Sequence, residues 1–153
     1  MSTKLDDLTT VTEGAATKAL ADLKTRNVPV IVTSTLRTHA HQYALWLQGR
    51  ESLLTVNQAR ASAGLGPIAM GENNYTVTNC NGTSIALGGT GRSPHQLGIA
   101  IDVVPLGPNG AEWPAATDPR WEEIARSFEM QGFEWGGRWT GFVDLPHYQI
   151  NGA

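Results

Sequence analysis

Four side chains in the second half of the sequence have the types and spacing of a metal site. His95 precedes Asp102 by seven residues, and Asp144 precedes His147 by three. Asp102 lies in an otherwise apolar or small run, residues 97–105, where an uncompensated carboxylate is costly. Singly, these residues are typical of turns and of acids held by backbone donors. Together, the imidazoles of His95 and His147 and the Asp102 carboxylate form a three-ligand zinc set with an open fourth position, and the cation would compensate Asp102.

Hydrolysis at such a site needs two further groups. A carboxylate must take a proton from the attacking water and pass it to the leaving group; Asp144 fits this role and Glu134 is the alternative. A fixed cation must stabilise the developing oxyanion, and Arg37 directly follows a predicted core strand. His39 and His41 lie two residues apart and do not share a helix face, so we interpret both as surface or capping histidines.

Other catalytic classes are disfavoured. The sequence has no H-E-x-x-H motif, which argues against a thermolysin-like protease. Ser93 stands two residues before His95 but lacks a G-x-S-x-G context, so we interpret its hydroxyl as structural or substrate-contacting. Cys80 is the single cysteine; it cannot form an intramolecular disulfide, and nothing near it in the sequence would activate its thiol.

The N-terminal half of the sequence predicts two helices and a strand that carry Arg37 and its neighbours. Residues 28–34 are short, β-branched and apolar and predict a core strand. Thr38 is expected to cap a second helix that ends at Gly49. The apolar residues expected to face inward on the two helices are Leu5, Leu8, Val11, Ala15, Ala19 and Leu23 on the first, which ends near Asn27, and Ala40, Tyr43, Ala44 and Leu47 on the second.

The C-terminal half predicts the elements that carry the candidate ligands. Residues 98–105 predict a second strand and residues 147–150 a short last one. Asp118 and Pro119 open a helix that Gly132 closes, with Trp121, Ile124, Ala125 and Phe128 facing inward. Residues 51–92 are partly helical at most and end in a Gly-rich loop. Because helices and strands do not alternate regularly, we predict an α+β fold with a small, mostly antiparallel sheet, in a single domain over residues 1–153.

Composition excludes several partners. A chain of 153 residues with a net charge of −3 has no large electrostatic footprint for nucleic acid. The N-terminus lacks the apolar region of a secretory signal, and no stretch approaches the ~20 apolar residues of a membrane span. We therefore expect a monomer made in the cytoplasm that binds neither nucleic acid nor membranes stably.

Three segments resemble a known family in family order. Residues 93–102, SPHQLGIAID, resemble the S-x-H-x(2)-[GA]-x-A-x-D signature of zinc peptidases that include D-alanyl-D-alanine carboxypeptidases, vancomycin-resistance dipeptidases and phage L-alanyl-D-glutamate endopeptidases. Residues 33–50 are similar to that family's strand–Arg–helix segment. Residues 133–149, FEWGGRWTGFVDLPHYQ, are similar to the closing segment of its endopeptidase branch.

The resemblance implies a function and a residue for each role. It implies a hedgehog/D-Ala-D-Ala peptidase-like fold in which His95, Asp102 and His147 bind Zn²⁺, Asp144 is the general base and Arg37 polarises the scissile carbonyl. The residues expected to contact the substrate are Ser93, Gln42, Trp135 and Trp139. The implied activity is hydrolysis of peptidoglycan stem peptides, at the L-Ala-D-Glu bond, by a phage endolysin-type enzyme made in the host cytoplasm and released onto the cell wall.

Two other functions stay open on the sequence alone. A D-Ala-D-Ala carboxypeptidase needs a cation for the terminal carboxylate of its substrate, which Arg50, Arg92 or Arg138 could supply. A zinc-containing binding module, as in hedgehog proteins, or a structural part of a phage tail would need no catalytic groups. The presence of both Asp144 and Arg37 argues against these non-enzyme functions, because binding alone requires neither.

Overall fold

The computed structural model describes residues 2–74 and 93–152. Cys80, Arg92 and the Gly-rich loop predicted to end at residue 92 lie outside these ranges. Within them, the helices are α1 (Thr10–Thr25), α2 (His39–Leu47), α3 (Leu53–Ser62) and α4 (Pro119–Glu129). The strands are β1 (Val30–Ser34), β2 (Ala100–Gly107), β3 (Gly110–Ala111), β4 (Glu134–Trp135) and β5 (His147–Gln149). Short 3-10 helices cover Leu5–Asp7, Met70–Glu72, Pro94–Leu97 and Gly136–Arg138.

The chain divides into two compact units. One contains Ser2–Leu36 and Leu97–Ala153 and carries β1 to β5 together with α1 and α4. The other contains Arg37–Gln96 and carries α2 and α3. Among the described residues, no helix is both long and apolar enough to cross a lipid bilayer.

The sheet of the first unit is antiparallel at every described pairing. Its order is β1-β2-β5-β4, and β3 forms a hairpin with β2. The predicted α+β fold with a small antiparallel sheet is therefore confirmed, as are the strands at 98–105 and 147–150. The predicted helix after Asp118 is also confirmed: the Asp118 side chain accepts a hydrogen bond from the Arg120 backbone N at 2.9 Å.

The register of β5 separates a polar face of the sheet from an apolar one. Tyr148 pairs with Ile101 on one side and with Trp135 on the other, and all three are buried in the core. Asp102 lies opposite His147. Because side chains alternate along a strand, Asp102 and His147 point to the face opposite that core row. The sheet thus presents the candidate ligands on one face while its other face is packed.

Aromatic rings fix β5 on the packed side. The ring of Tyr148 stacks on Phe128 of α4 with centroids 4.4 Å apart, and Phe133 meets Phe128 edge-on at 5.1 Å. Trp135 stacks on the other side of Tyr148 at 6.4 Å. Aromatic pairs of this geometry add about 0.5–1.5 kcal/mol each beyond the area that they bury. The short strand that carries His147 is therefore held by packing as well as by its ladder.

The predicted inward faces of the first two helices are confirmed at Leu23 and Leu47 and are wrong at Val11 and Ala40. The first helix begins at Thr10, because residues 5–7 form a 3-10 turn, and it buries Thr12 and Ala16 while Val11 is 62% exposed. In α2, Ala40 is exposed, whereas His41 is only 5% exposed, which corrects its interpretation as a surface residue. In both helices the spacing of apolar residues is right. At the two wrong positions the neighbouring polar side chain, Thr12 or His41, is the one that is buried.

Candidate metal centre

Asp102 and His147 face each other across the β2–β5 ladder. The two residues are direct partners in the antiparallel register. The Nδ1 atom of His147 lies 3.3 Å from Oδ1 of Asp102, and the side chains are 6% and 19% exposed, respectively. The pair predicted from sequence type alone is thus brought together by strand register, inside the protein and on the polar face of the sheet.

His95 occupies the short 3-10 helix Pro94–Leu97 and is buried. Ser93 initiates this turn: its Oγ accepts from the His95 backbone N at 3.3 Å, and its own N donates to Gln96 Oε1 at 2.7 Å. The structural half of the Ser93 interpretation agrees with this geometry. His95 belongs to the second unit, whereas Asp102 and His147 belong to the first.

Gly98 turns the chain from this helix into β2. Its φ is +69°, a left-handed conformation that a side chain makes unfavourable. A Cβ at Gly98 would also lie 3.3 Å from the backbone N of Thr9, whose N–H donates to the Gly98 carbonyl at 2.9 Å. A glycine at this position lets the chain turn two residues before β2 begins at Ala100.

Asp144 is held beside His147 by its own backbone. Its N donates to the Gly136 carbonyl at 3.0 Å, and its carbonyl accepts from the His147 N at 3.3 Å. Its Oδ2 lies 4.0 Å from His147 Nδ1, and the side chain is partly exposed. Asp144 therefore places a solvent-accessible carboxylate at the same nitrogen that faces Asp102.

The residues between Asp144 and His147 are also fixed. The Leu145 carbonyl accepts a hydrogen bond from the indole Nε1 of Trp135 at 2.6 Å. The Pro146 carbonyl accepts from the backbone N of Val103 at 2.9 Å. Each residue from 144 to 146 thus has a bond to a structured partner, so the connection between carboxylate and imidazole has little freedom.

The charge balance at His147 fits a bound cation. Burial opposes the charged form of the ring, but the hydrogen bond and negative charge of Asp102 outweigh it and raise the pKa of His147 above its ordinary value. A buried imidazole nitrogen and a carboxylate oxygen 3.3 Å apart are stabilised by a proton or a metal ion between them. Two imidazoles and one carboxylate are suitable ligands for Zn²⁺.

Arg37 lies in the second unit and is bonded to the backbone of His95. Its N donates to the His95 carbonyl at 3.1 Å, and its Nη1 donates to Gln42 Oε1 at 2.8 Å. Gln42 is 1% exposed, so this geometry favours a role in orienting Arg37 over direct contact with a substrate. His41, on the same helix, is buried, and burial together with the charges of Arg37 and Arg60 lowers its pKa to about 4.

The two predicted substrate-contacting tryptophans differ in position. Trp135 is 4% exposed and packs in the core, which gives it the structural role of holding Leu145. Trp139 is partly exposed, and its ring lies 5.3 Å from the His147 ring. Its Nε1 donates to Glu134 Oε1 at 3.0 Å. Glu134, the alternative base, also accepts from Asn151 Nδ2 at 2.8 Å, so the structure brings Asp144 rather than Glu134 to Nδ1 of His147.

Gln149 is a neighbour of the site that the sequence analysis did not single out. Its Oε1 lies 2.8 Å from His147 Nε2. Its spacing from His147 was the available signal, because residues two apart in a strand share a face. Glutamine has no charge and no metal preference, so residue type alone gave no reason to select it.

Comparison with known proteins supports the family resemblance found in the sequence. A family model described as D-alanyl-D-alanine carboxypeptidase matches residues 87–150. An L-alanyl-D-glutamate peptidase of Listeria phage A118 is 40% identical over 62 residues, which are 40% of this chain and 22% of that protein. The chain therefore matches only about a fifth of the length of the phage protein.

Two further similarities extend over most of the chain. The peptidoglycan L-alanyl-D-glutamate endopeptidase CwlK of Bacillus subtilis (strain 168) is 25% identical over 151 residues, covering 94% of this chain and 74% of that protein. A crystal structure of the vancomycin resistance D,D-pentapeptidase VanY in complex with Zn(II) has a TM-score of 0.55 at 18% identity, covering 94% of this chain and 72% of that one. This last similarity concerns the fold.

Proposed function

We propose that the chain is a zinc-dependent peptidase of the D-alanyl-D-alanine carboxypeptidase family, whose model matches residues 87–150, and that it acts on peptidoglycan stem peptides. We further propose that it cleaves the bond between L-Ala and D-Glu, since two relatives are named for that bond. His95, Asp102 and His147 are the proposed zinc ligands. The activity, the substrate and the metal are all parts of this proposal.

One observation carries the proposal. The Asp144 carboxylate, which is not a candidate ligand, lies near the same His147 nitrogen as the carboxylate of the candidate ligand Asp102. Asp102 is 3.3 Å and Asp144 is 4.0 Å from Nδ1 of His147. A purely structural zinc site is closed and needs no additional acid. A partly exposed carboxylate held there by backbone bonds is what proton transfer in hydrolysis requires.

The proposed mechanism assigns each role to a side chain of this chain. Zinc, when bound, supplies a Lewis acid that makes water nucleophilic and polarises the scissile carbonyl. The Asp144 carboxylate accepts a proton from the attacking water and delivers it to the leaving amine. Arg37, oriented by Gln42, supplies positive charge for the developing oxyanion. Asp102 and His147 stay in place because β2 and β5 fix both.

The proposed substrate contacts and setting follow the same resemblance. Trp139, beside His147, offers a partly exposed ring to a peptide, and Ser93, at the start of the turn that carries His95, stays a proposed contact. We propose one catalytic domain over residues 1–153 that acts as a monomer. Its proposed biological role is cell-wall lysis of the phage endolysin type, with synthesis in the host cytoplasm and action on the wall after release.

The alternative within enzymes is a D-Ala-D-Ala carboxypeptidase, which the description of the family model favours. That activity needs a cation for the substrate's terminal carboxylate. Arg138 is committed elsewhere, since it bonds Glu122 at 2.8 Å and Glu129 at 3.0 Å. Arg50 lies over the Trp46 ring, 5.0 Å from its centroid. Both candidate cations among the described residues thus have other partners, and Arg92 lies outside those residues.

Two measurements on the purified chain test the proposal. Elemental analysis should find one zinc per chain, and His147→Ala should lose it. Mass spectrometry of digested muropeptides should find a new D-Glu amino terminus. Release of single D-Ala residues with the L-Ala-D-Glu bond intact would assign the carboxypeptidase activity instead. Full zinc occupancy without any cleavage would support a binding module, and activity that survives complete removal of metal would refute the zinc mechanism.

A further inference from the structure

A row of polar side chains continues from His147 across β5 and β4. His147 and Gln149 share the polar face of β5, because they are two residues apart. Gln149 is paired with Glu134 of β4 in the antiparallel register. His147 Nε2 lies 2.8 Å from Gln149 Oε1, and Gln149 Nε2 lies 3.4 Å from Glu134 Oε2. A carboxylate is thereby connected through one amide to the imidazole.

The connection has only one consistent hydrogen-bond direction. A carboxylate only accepts hydrogen bonds, so Glu134 requires the NH₂ group of Gln149 on its side. Asn151 reinforces this orientation: its Nδ2 donates to Glu134 Oε2 at 2.8 Å, which turns its Oδ1 towards Gln149 Nε2, also at 2.8 Å. With its NH₂ group directed at two acceptors, Gln149 has only its carbonyl oxygen left to face His147.

This direction determines which nitrogen of His147 carries the proton. The amide oxygen of Gln149 accepts, so Nε2 of His147 must be the donor. A neutral imidazole has one N–H and one lone pair, and the lone pair is then on Nδ1. Nδ1 is the atom that faces Asp102 at 3.3 Å and Asp144 at 4.0 Å. The network therefore turns the coordinating nitrogen towards the carboxylates.

We propose that Glu134 and Gln149 are positioning residues that hold His147 as the Nε2–H tautomer and present Nδ1 to the metal. This inference rests on the proposed zinc function and adds to it the assignment of the ligating atom. It also gives a role to Glu134, whose carboxylate bonds Trp139, Gln149 and Asn151. Outer partners of metal-bound histidines fix the ring orientation and raise the basicity of the ligand.

The first test is zinc affinity, measured by competition with a chromophoric chelator. Gln149→Met keeps the length of the side chain and removes its hydrogen bonds, so we expect zinc to bind about 10–100-fold more weakly. Gln131→Met is the matched control, because Gln131 lies in the turn after α4, where its N bonds the Phe128 carbonyl. We expect the control to bind zinc as the unaltered chain does.

A charge exchange separates this role from simple packing. Gln149→Glu alone places two carboxylates opposite each other on β4 and β5 and should weaken zinc binding. Adding Glu134→Gln restores a donor opposite the new acceptor, and a carboxylate accepts from an imidazole N–H at least as well as an amide does. We therefore expect the double variant to recover zinc affinity, whereas two independent structural defects would add.

Imidazole nitrogen chemical shifts measured by NMR give a readout that does not depend on activity. In the zinc-loaded chain, we expect Nε2 of His147 to carry the proton and Nδ1 to show the shift of a metal-bound nitrogen, and we expect Gln149→Met to lose this single tautomer. Zinc binding with unchanged affinity and tautomer in Gln149→Met would overturn the positioning role and leave the proposed function standing. Failure of the unaltered chain to bind zinc would overturn both.

Discussion

Gly136 and Asp144 are in direct backbone contact, and the contact leaves no room for a side chain on Gly136. The Gly136 carbonyl accepts a hydrogen bond from the Asp144 N at 3.0 Å. A Cβ at Gly136 would overlap the Asp144 carbonyl oxygen and lie 3.0 Å from the Asp144 Cβ. Close packing against Asp144 therefore explains the glycine at 136, whereas a Cβ at Gly137 would overlap the Trp135 ring.

Gly136→Ala should therefore displace Asp144 without removing any proposed ligand or catalytic group. A misplacement of about 1 Å can cost roughly 10²-fold in rate, and we expect kcat for muropeptide cleavage to fall by about that factor with zinc still bound. Gly66→Ala is the matched control, because a Cβ there meets nothing within 4 Å. Equal turnover of the two variants would show that Asp144 does not depend on this contact.

Asp144→Asn should separate chemistry from metal binding. The amide keeps the shape of the side chain but cannot take a proton, and loss of a general base costs about 10²–10⁴ in rate. We expect a folded, zinc-loaded protein whose single-turnover cleavage is slower by that factor. Normal cleavage by this variant would show that Asp144 is not the general base.

Arg37→Ala should lower turnover more than substrate binding. Loss of one oxyanion-stabilising group costs about 10²–10³ in kcat. Gln42→Leu removes the acceptor 2.8 Å from Arg37 Nη1, and we expect a smaller loss in the same direction. Steady-state kinetics on a defined stem peptide measures both. A rise in KM with unchanged kcat in Arg37→Ala would assign this side chain to substrate binding only.

His41 should make the protein less stable in mild acid. Its pKa is lowered to about 4 in the folded state, from an ordinary value of 6.5, by burial and by the charges of Arg37 and Arg60. A lowered histidine pKa favours the neutral ring, so its stabilising contribution is complete above pH 6.5 and is lost as the pH falls towards 4. The loss amounts to at most about 3 kcal/mol.

Urea unfolding at pH 7, 5 and 4 measures this dependence. We expect the free energy of unfolding of His41→Gln to fall less between pH 7 and pH 4 than that of the unaltered chain. His39→Gln, on the exposed side of the same helix start, should behave as the unaltered chain does. Identical pH slopes for all three proteins would show that His41 is not buried in its neutral form.

The sequence predicted the strands and the metal-ligand types because both depend on local pattern. Asp102 is an acid in an otherwise apolar run, and a short run of β-branched residues is typical of a strand. Single positions on the helix faces were harder to predict. Val11 and Thr12 are adjacent, and in the folded chain Thr12 is buried while Val11 is exposed. His41, interpreted from its spacing as a surface or capping residue, is buried as well.

The contacts of Gly136 and Gln149 could not be predicted from sequence, for a different physical reason. Both depend on pairing between segments distant in the chain: Gly136 contacts the Asp144 backbone, and Gln149 pairs with Glu134. A glycine indicates that a side chain is absent, but it does not identify the neighbour that requires the absence. A glutamine acquires meaning only from the groups that its amide faces.

Because β5 pairs with both β2 and β4, the number of residues around it cannot change without shifting the register, whereas other segments can change in length. Deleting one residue within β5 would send every following side chain to the opposite face and would turn Tyr148, now in the core, towards Asp102. The turn at 108–109 between β2 and β3 lies outside the pairing of β2 with β5. We therefore expect that hairpin to tolerate an insertion, including a grafted binding peptide. An insertion within residues 144–149 would disrupt the pairing of β5.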